Sequence, residues 1–148
     1  IGDYQATWNL SSHGQSWIVH PDSIKEVGCI HTCQGLELDY GGVIIGPDLI
    51  VRNSKIITDV TKRAKTDKSV FGYNKLLKEN PERAREVADM IIKNTYRTLM
   101  TRGMKGCYIY ATDTETQEYF KKQFRSANKQ DALYSLPPDD TSLSVDKN

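Results

Sequence analysis

The 148 residues suffice for one domain with a sizeable core. Apolar residues make up 38% of the chain and charged residues 26%, which excludes a wholly disordered polymer. A net charge of +1 excludes recruitment of nucleic acid by a global field, and no apolar run approaches the roughly 18 residues of a membrane span.

Three cysteines without a secretory leader (Cys29, Cys33 and Cys107) point to a reducing, cytoplasmic setting. The chain opens on Ile1 rather than Met, so the expectation is a piece cut from a longer protein.

In chain order, residues 1–15 are polar and irregular, with Trp8 as their large apolar anchor. Ser16–His20 is a short apolar run closed by Pro21-Asp22 and predicts a strand followed by a turn. Val27–His31, Val43–Ile45 and Cys107–Ala111 predict further strands. Most of these runs are nearly continuous in apolar character, as in strands buried on both faces. They predict an α/β domain with a mostly parallel sheet covered by helices. Leu49–Val51 and Lys55–Ile57 flank Arg52-Asn53-Ser54 and predict a peripheral β-hairpin. Thr61–Lys68 reads as an exposed loop and Ser69–Lys78 as a short helix.

The clearest element begins at Asn80, a good N-cap, with Pro81 at the first helical position and Glu82 in the first turn. Ala84, Val87, Ala88, Ile91, Ile92, Tyr96, Leu99 and Met100 then form the stripe of a core-facing helix. Such a helix spans on the order of 30 Å and should end near Arg102, with Gly103 as its C-cap. Asp113–Arg125 predicts one more helix, carrying Tyr119, Phe120 and Phe124. The domain is expected over residues 1–127, followed by a polar, disordered tail over 128–148.

Two stretches carry candidate chemistry. In Asn94–Gly106 the helix delivers Arg102 into a turn beyond the apolar stripe, with Arg97, Thr101 and Lys105 nearby. A guanidinium there offers fixed charge and forked donors to a phosphate, or simply offsets the helix dipole. In His31–Glu37, Gly35 permits close backbone approach and Glu37 can accept hydrogen bonds from ribose hydroxyls, or is a solvated turn acid. Thr32 and Gln34 can bond a nucleic-acid phosphate or relay movement between sites. Cys29, His31 and Cys33, spaced by two, would share one face of a strand, yet a closed zinc site wants a fourth ligand, so no metal is expected. Lys62-Arg63-Ala64-Lys65 with Lys68 either grips a phosphate backbone or is ordinary solvated surface.

GCIHTCQGLELDY followed by GVIIGPDL resembles motif V of superfamily 1 helicases, and NTYRTLMTRGMKGCYIY resembles motif VI. The wording is similar to the Schlafen-type DNA/RNA helicase domain of bacterial ATPases. The resemblance implies the second RecA-like motor domain, a three-layer sandwich of the P-loop NTPase type. It implies that Arg102 is the arginine finger, supported by Arg97 and Thr101. Glu37, with Gly35 and Gln34, would lie near the nucleotide, and His31 and Thr32 would touch nucleic acid or couple it to ATP. The implied partners are single-stranded DNA or RNA and the N-terminal RecA-like domain of the same polypeptide; no membrane is implied. ATP with Mg²⁺ would be held mainly by that other domain. These residues contain no G-x-x-x-x-G-K-[ST] loop, so the chain alone is expected neither to bind ATP tightly nor to hydrolyse it. The alternative is a nucleic-acid-binding or interaction module without ATPase activity.

Overall fold

The computed structural model describes residues 3–8, 14–33, 35–64 and 67–134. The strands are β1 (Thr7–Trp8), β2 (Glu26–Val27), β3 (Leu38–Ile45), β4 (Leu49–Arg52), β5 (Lys55–Thr58) and β6 (Gly103–Ala111). The helices are α1 (Tyr73–Glu79), α2 (Pro81–Met100) and α3 (Thr114–Tyr134). Among the described residues the strands form three two-stranded sheets: β1 with β2 and β3 with β6, both parallel, and β4 with β5, antiparallel. The molecule is therefore mixed α/β, with small parallel sheets and no closed barrel among the described residues. No helix among the described residues is long and apolar enough to cross a membrane.

Helix α2 forms as its sequence requires. The Asn80 side chain accepts a hydrogen bond from the Arg83 N–H at 3.0 Å, satisfying one donor of the first turn. Ala84, Ala88, Ile92 and Tyr96 recur every fourth residue and are buried. Ile92 and Tyr96 pack on Val43, Ile45, Leu49 and Ala111, with Leu99, Met100 and Ile109 half-buried around them. This cluster is the core, and it fixes α2 across the β3–β6 pair.

The hairpin also forms as expected. Asn53 and Ser54 take φ of 51° and 61°, so both central residues are left-handed, the geometry that suits a two-residue hairpin turn. Arg52 forks onto Asp113 at 2.8 and 2.7 Å, and the Val51 N–H donates to Thr116 Oγ1 at 2.8 Å. These bonds pin the hairpin to the start of α3.

Several expectations fail for identifiable reasons. Ser16–His20 is not a strand: Gly14–Val19 forms a 3-10 helix, and Trp17 is buried while Val19 is 79% exposed. Trp8 is 63% exposed, so the anchor of the N-terminal part is Trp17. The short helix expected over Ser69–Lys78 is interrupted at Gly72, whose φ of 85° separates a 3-10 turn at Lys68–Val70 from α1. Helix α3 continues past Arg125 to Tyr134, into the segment expected as tail; residues 135–148 lie outside the described ones. Finally, the β3–β6 pair is covered on one face only. Tyr40, Tyr108 and Tyr110 occupy the other face and are exposed, Tyr108 at 72%. Tyrosine counts as apolar in a sequence pattern, but its hydroxyl tolerates water.

Candidate functional site

The stretch from Gly28 to Cys33 folds as a compact turn rather than the end of a strand. Its N–H groups at Thr32 and Cys33 both donate to the Cys29 carbonyl, at 3.1 and 2.9 Å. Thr32 Oγ1 accepts from the Cys29 N–H at 3.0 Å, capping the turn from inside. The Trp17 indole closes it from outside by donating to the Thr32 carbonyl at 3.2 Å. A Cβ on Gly28 would stand 2.5 Å from that indole, so glycine is required by close approach. These side-chain bonds end β2 at Val27, where apolar content alone predicts a strand to His31. The turn also removes the shared face of Cys29, His31 and Cys33, since it sets Cys33 one helical turn from Cys29. Among the described residues no three His, Cys, Asp or Glu side chains are grouped to hold a metal. Burial pushes the Cys33 thiol pKa up, aided by Cys29 and opposed by Thr32 and Arg102, so the thiol form is favoured.

Arg102 lies where α2 ends and β6 begins. Its N–H donates to the Leu99 carbonyl at 3.2 Å, and its carbonyl accepts from the Leu38 N–H at 3.0 Å, opening the β3–β6 ladder. The half-buried guanidinium folds back: Nε donates to the Thr98 carbonyl at 3.2 Å and Nη1 to the Leu36 carbonyl at 3.4 Å. The two candidate stretches, far apart in sequence, thus meet through this side chain. Gly103 is not the left-handed C-cap expected of it, because the positive-φ glycines are Gly35 and Gly72. It is needed for proximity: a Cβ there would lie 2.0 Å from the Gly106 carbonyl oxygen and 2.9 Å from the Gly41 nitrogen.

The other candidates surround this junction unevenly. Glu37 follows Leu36 and is exposed. Gly35 has φ of 79° with open space where a Cβ would be, so its backbone angle is the reason for glycine. Gln34 lies outside the described residues. Thr101 donates from Oγ1 to the Thr98 carbonyl at 3.1 Å, and Arg97 is exposed on the solvent side of α2. Lys105 pairs with Asp39 at 2.8 Å, both in solvent. His31 is exposed, with Nε2 3.8 Å from Asp67 Oδ1.

Sequence reasoning missed the cluster that His31 approaches. Arg63, expected on a basic surface loop, is only 9% exposed. Its Nη1 donates to Asp48 Oδ2 at 2.9 Å and its Nε to Asp67 Oδ2 at 2.6 Å. Asp48 in turn accepts from Tyr96 Oη at 2.6 Å, and Tyr96 Oη accepts from the Gly46 N–H at 3.0 Å. Burial, then the bond to Asp48, pushes the Tyr96 phenol pKa up. For Asp67 burial pulls the other way, but bonds from Ser69 and Arg63 outweigh it and hold the carboxyl pKa down. The Ser69 N–H donates to Asp67 Oδ1 at 2.8 Å. The spacing of four between Arg63 and Asp67 was the available sequence hint; Asp48 becomes a partner only through folding.

Chemically, the two arginines differ in what they can still do. Arg63 is neutralised by carboxylates. Arg102 rests on neutral carbonyls, and no carboxylate pairs with it among the described residues. Its charge is available to an anion at the cost of a long bond to Leu36. Arg102 offers a cation, and Glu37, one residue past the Leu36 carbonyl that Arg102 contacts, offers an exposed carboxylate. They do not form a phosphate cradle.

Residues 1–113 match the family described as Schlafen group 3, DNA/RNA helicase domain. The chain is also similar to Uncharacterized protein YPL245W of Saccharomyces cerevisiae, at 35% identity over 102 residues. That alignment covers 69% of this chain and 22% of the yeast protein, so the chain spans about a fifth of that relative's length. No solved structure matches.

Proposed function

The chain belongs to the Schlafen group 3 DNA/RNA helicase domain family, and from that premise we propose that it is the second, RecA-like motor half of an ATP-dependent helicase or translocase. ATP with Mg²⁺ binds mainly on an N-terminal RecA-like domain, and this half presents Arg102 across the cleft. The observation carrying this reading is the Arg102 guanidinium, held on the Leu36 and Thr98 carbonyls rather than on a carboxylate. An arginine meant only to brace the fold gains more from an anionic partner, as Arg63 has. When a γ-phosphoryl group transfers, charge spreads over its oxygens, and a desolvated guanidinium stabilises that charge more than it stabilises the ground state. Glu37 accepts from the ribose, Gly35 lets the backbone approach, and Thr101 and Arg97 support the turn. His31 and Thr32 belong to the side that meets single-stranded DNA or RNA, and Gln34 is assigned to the nucleotide with Glu37 and Gly35.

In the full-length protein, Arg102→Ala is expected to lower ATP hydrolysis by about 10³–10⁵ while the far-ultraviolet circular dichroism stays unchanged. Hydrolysis that survives the substitution removes the finger assignment. The alternative, a binding module gripping phosphate through Lys62-Arg63-Ala64-Lys65, loses its central cation, because Arg63 is committed to Asp48 and Asp67.

A further inference from the structure

A continuous run of polar contacts links the long helix to the turn that carries His31. It passes from the Gly46 N–H to Tyr96 Oη, on to Asp48, then to Arg63 and Asp67. Asp67 Oδ1 faces His31 Nε2 at 3.8 Å and also accepts from the Ser69 N–H at 2.8 Å. The interior members are nearly closed to water, with Arg63 and Asp48 side chains each 9% exposed and Asp67 13%; His31, at 54%, is the end that meets solvent.

A run of this kind joins parts that apolar packing does not. Tyr96 belongs to α2, the helix whose last residue, Met100, stands two before Arg102. Asp48 follows β3, and Arg63 and Asp67 lie in the segment before α1. Buried ion pairs are a poor way to add stability, because desolvation offsets most of the attraction. They are a good way to fix register, since each carboxylate oxygen accepts along defined directions and a displaced partner leaves a buried charge uncompensated.

We propose that Asp67 is a positioning residue: it holds the His31 turn in register with α2, so that a displacement of His31 by nucleic acid is passed through Arg63, Asp48 and Tyr96 to the helix that leads into Arg102. This rests on the roles given above to His31 and Arg102. Asp67 itself touches neither nucleotide nor nucleic acid.

Two measurements test it. In the full-length protein, ATP hydrolysis is followed with and without a thymidylate or uridylate oligonucleotide. Asp67→Asn leaves the unstimulated rate unchanged and lowers the stimulation at least about fivefold, the lower range of a coupling between sites. Adding His31→Ala to Asp67→Asn reduces the stimulation no further than the more impaired single variant. Asp113→Asn, which loosens the distant hairpin brace, keeps the stimulation and controls for lost stability. Full stimulation in Asp67→Asn overturns the proposal. Arg102→Ala, run alongside, reports separately on the finger: hydrolysis that survives it removes that reading, whatever Asp67→Asn does.

The second measurement needs no turnover. Amide hydrogen exchange on the 148-residue chain is expected to quicken at Thr32 and Cys33 by about tenfold in Asp67→Asn, through local opening. The hairpin amide of Val51, which donates to Thr116 Oγ1, keeps its wild-type protection. Unchanged exchange at Thr32 and Cys33, or equal loss at the hairpin, overturns the proposal.

Discussion

Arg63 and Arg102 both sit partly or wholly inside the protein, yet the regions around them are built on opposite principles. Around Arg63, two carboxylates accept from the guanidinium, one of them also bonded by Tyr96, and the side chain is 9% exposed. Around Arg102, the acceptors are two backbone carbonyls, and the side chain is half-buried. The charge of Arg63 is matched by carboxylates in place, and that of Arg102 rests on neutral carbonyls. Local hydrogen bonding, rather than exposure alone, separates the two.

The strongest way to break this comparison is to remove each guanidinium in turn and measure unfolding by denaturant. Arg63→Ala strands Asp48 and Asp67 in the interior and should cost about 3–5 kcal/mol. Arg102→Ala leaves only neutral carbonyls without a donor and should cost about 1 kcal/mol. Equal losses would erase the distinction.

Gly103→Ala attacks the Arg102 region from its backbone. The added carbon meets the Gly106 carbonyl at 2.0 Å, and neither backbone segment can swing aside like the tip of a side chain. A loss of about 1–3 kcal/mol is expected, with the β3–β6 amides losing exchange protection before those of the hairpin. A neutral result would show that the bulge between Leu38 and Tyr40 relaxes more easily than its contacts suggest.

Acid sharpens the comparison with the smallest effect. The folded Asp67 carboxyl sits below its usual range, its bonds from Ser69 and Arg63 outweighing burial. Its contribution is therefore fully present above the unfolded value near about 3.9 and is lost as pH falls through the lower folded value. Asp113, held well down by Arg52 and then Thr116, acts in the same direction. The melting temperature should fall as pH drops below about 4, less steeply in Asp67→Asn, and with wild-type slope in Arg102→Ala. A slope unaltered by Asp67→Asn would mean that the carboxyl is not held by its neighbours.

What the sequence disclosed follows the range of the interactions. Helix α2 was legible because its cap, Asn80 to Arg83, and its buried row from Ala84 to Tyr96 are local regularities. The hairpin was legible for the same reason. The Gly28–Cys33 turn was not, because a threonine hydroxyl and a distant indole bend a run whose apolar letters spell a strand. Arg63 read as surface because Asp48 is remote in sequence and the count of nearby lysines is blind to it. The open face of Tyr40, Tyr108 and Tyr110 was hidden by the same coarse alphabet. That Arg102 meets the Leu36 carbonyl was not legible, since no local pattern joins them.

The Trp17 indole gives the molecule an optical gauge of its own. The sequence holds two tryptophans; Trp8 faces solvent, while Trp17 is enclosed and tied to the Thr32 carbonyl. Collisional quenchers in the solution extinguish the first and spare the second, so the residual emission comes from the wall of the turn that meets Arg102. Any partner that prises the turn open should redden and dim that light, and no dye need be attached to see it.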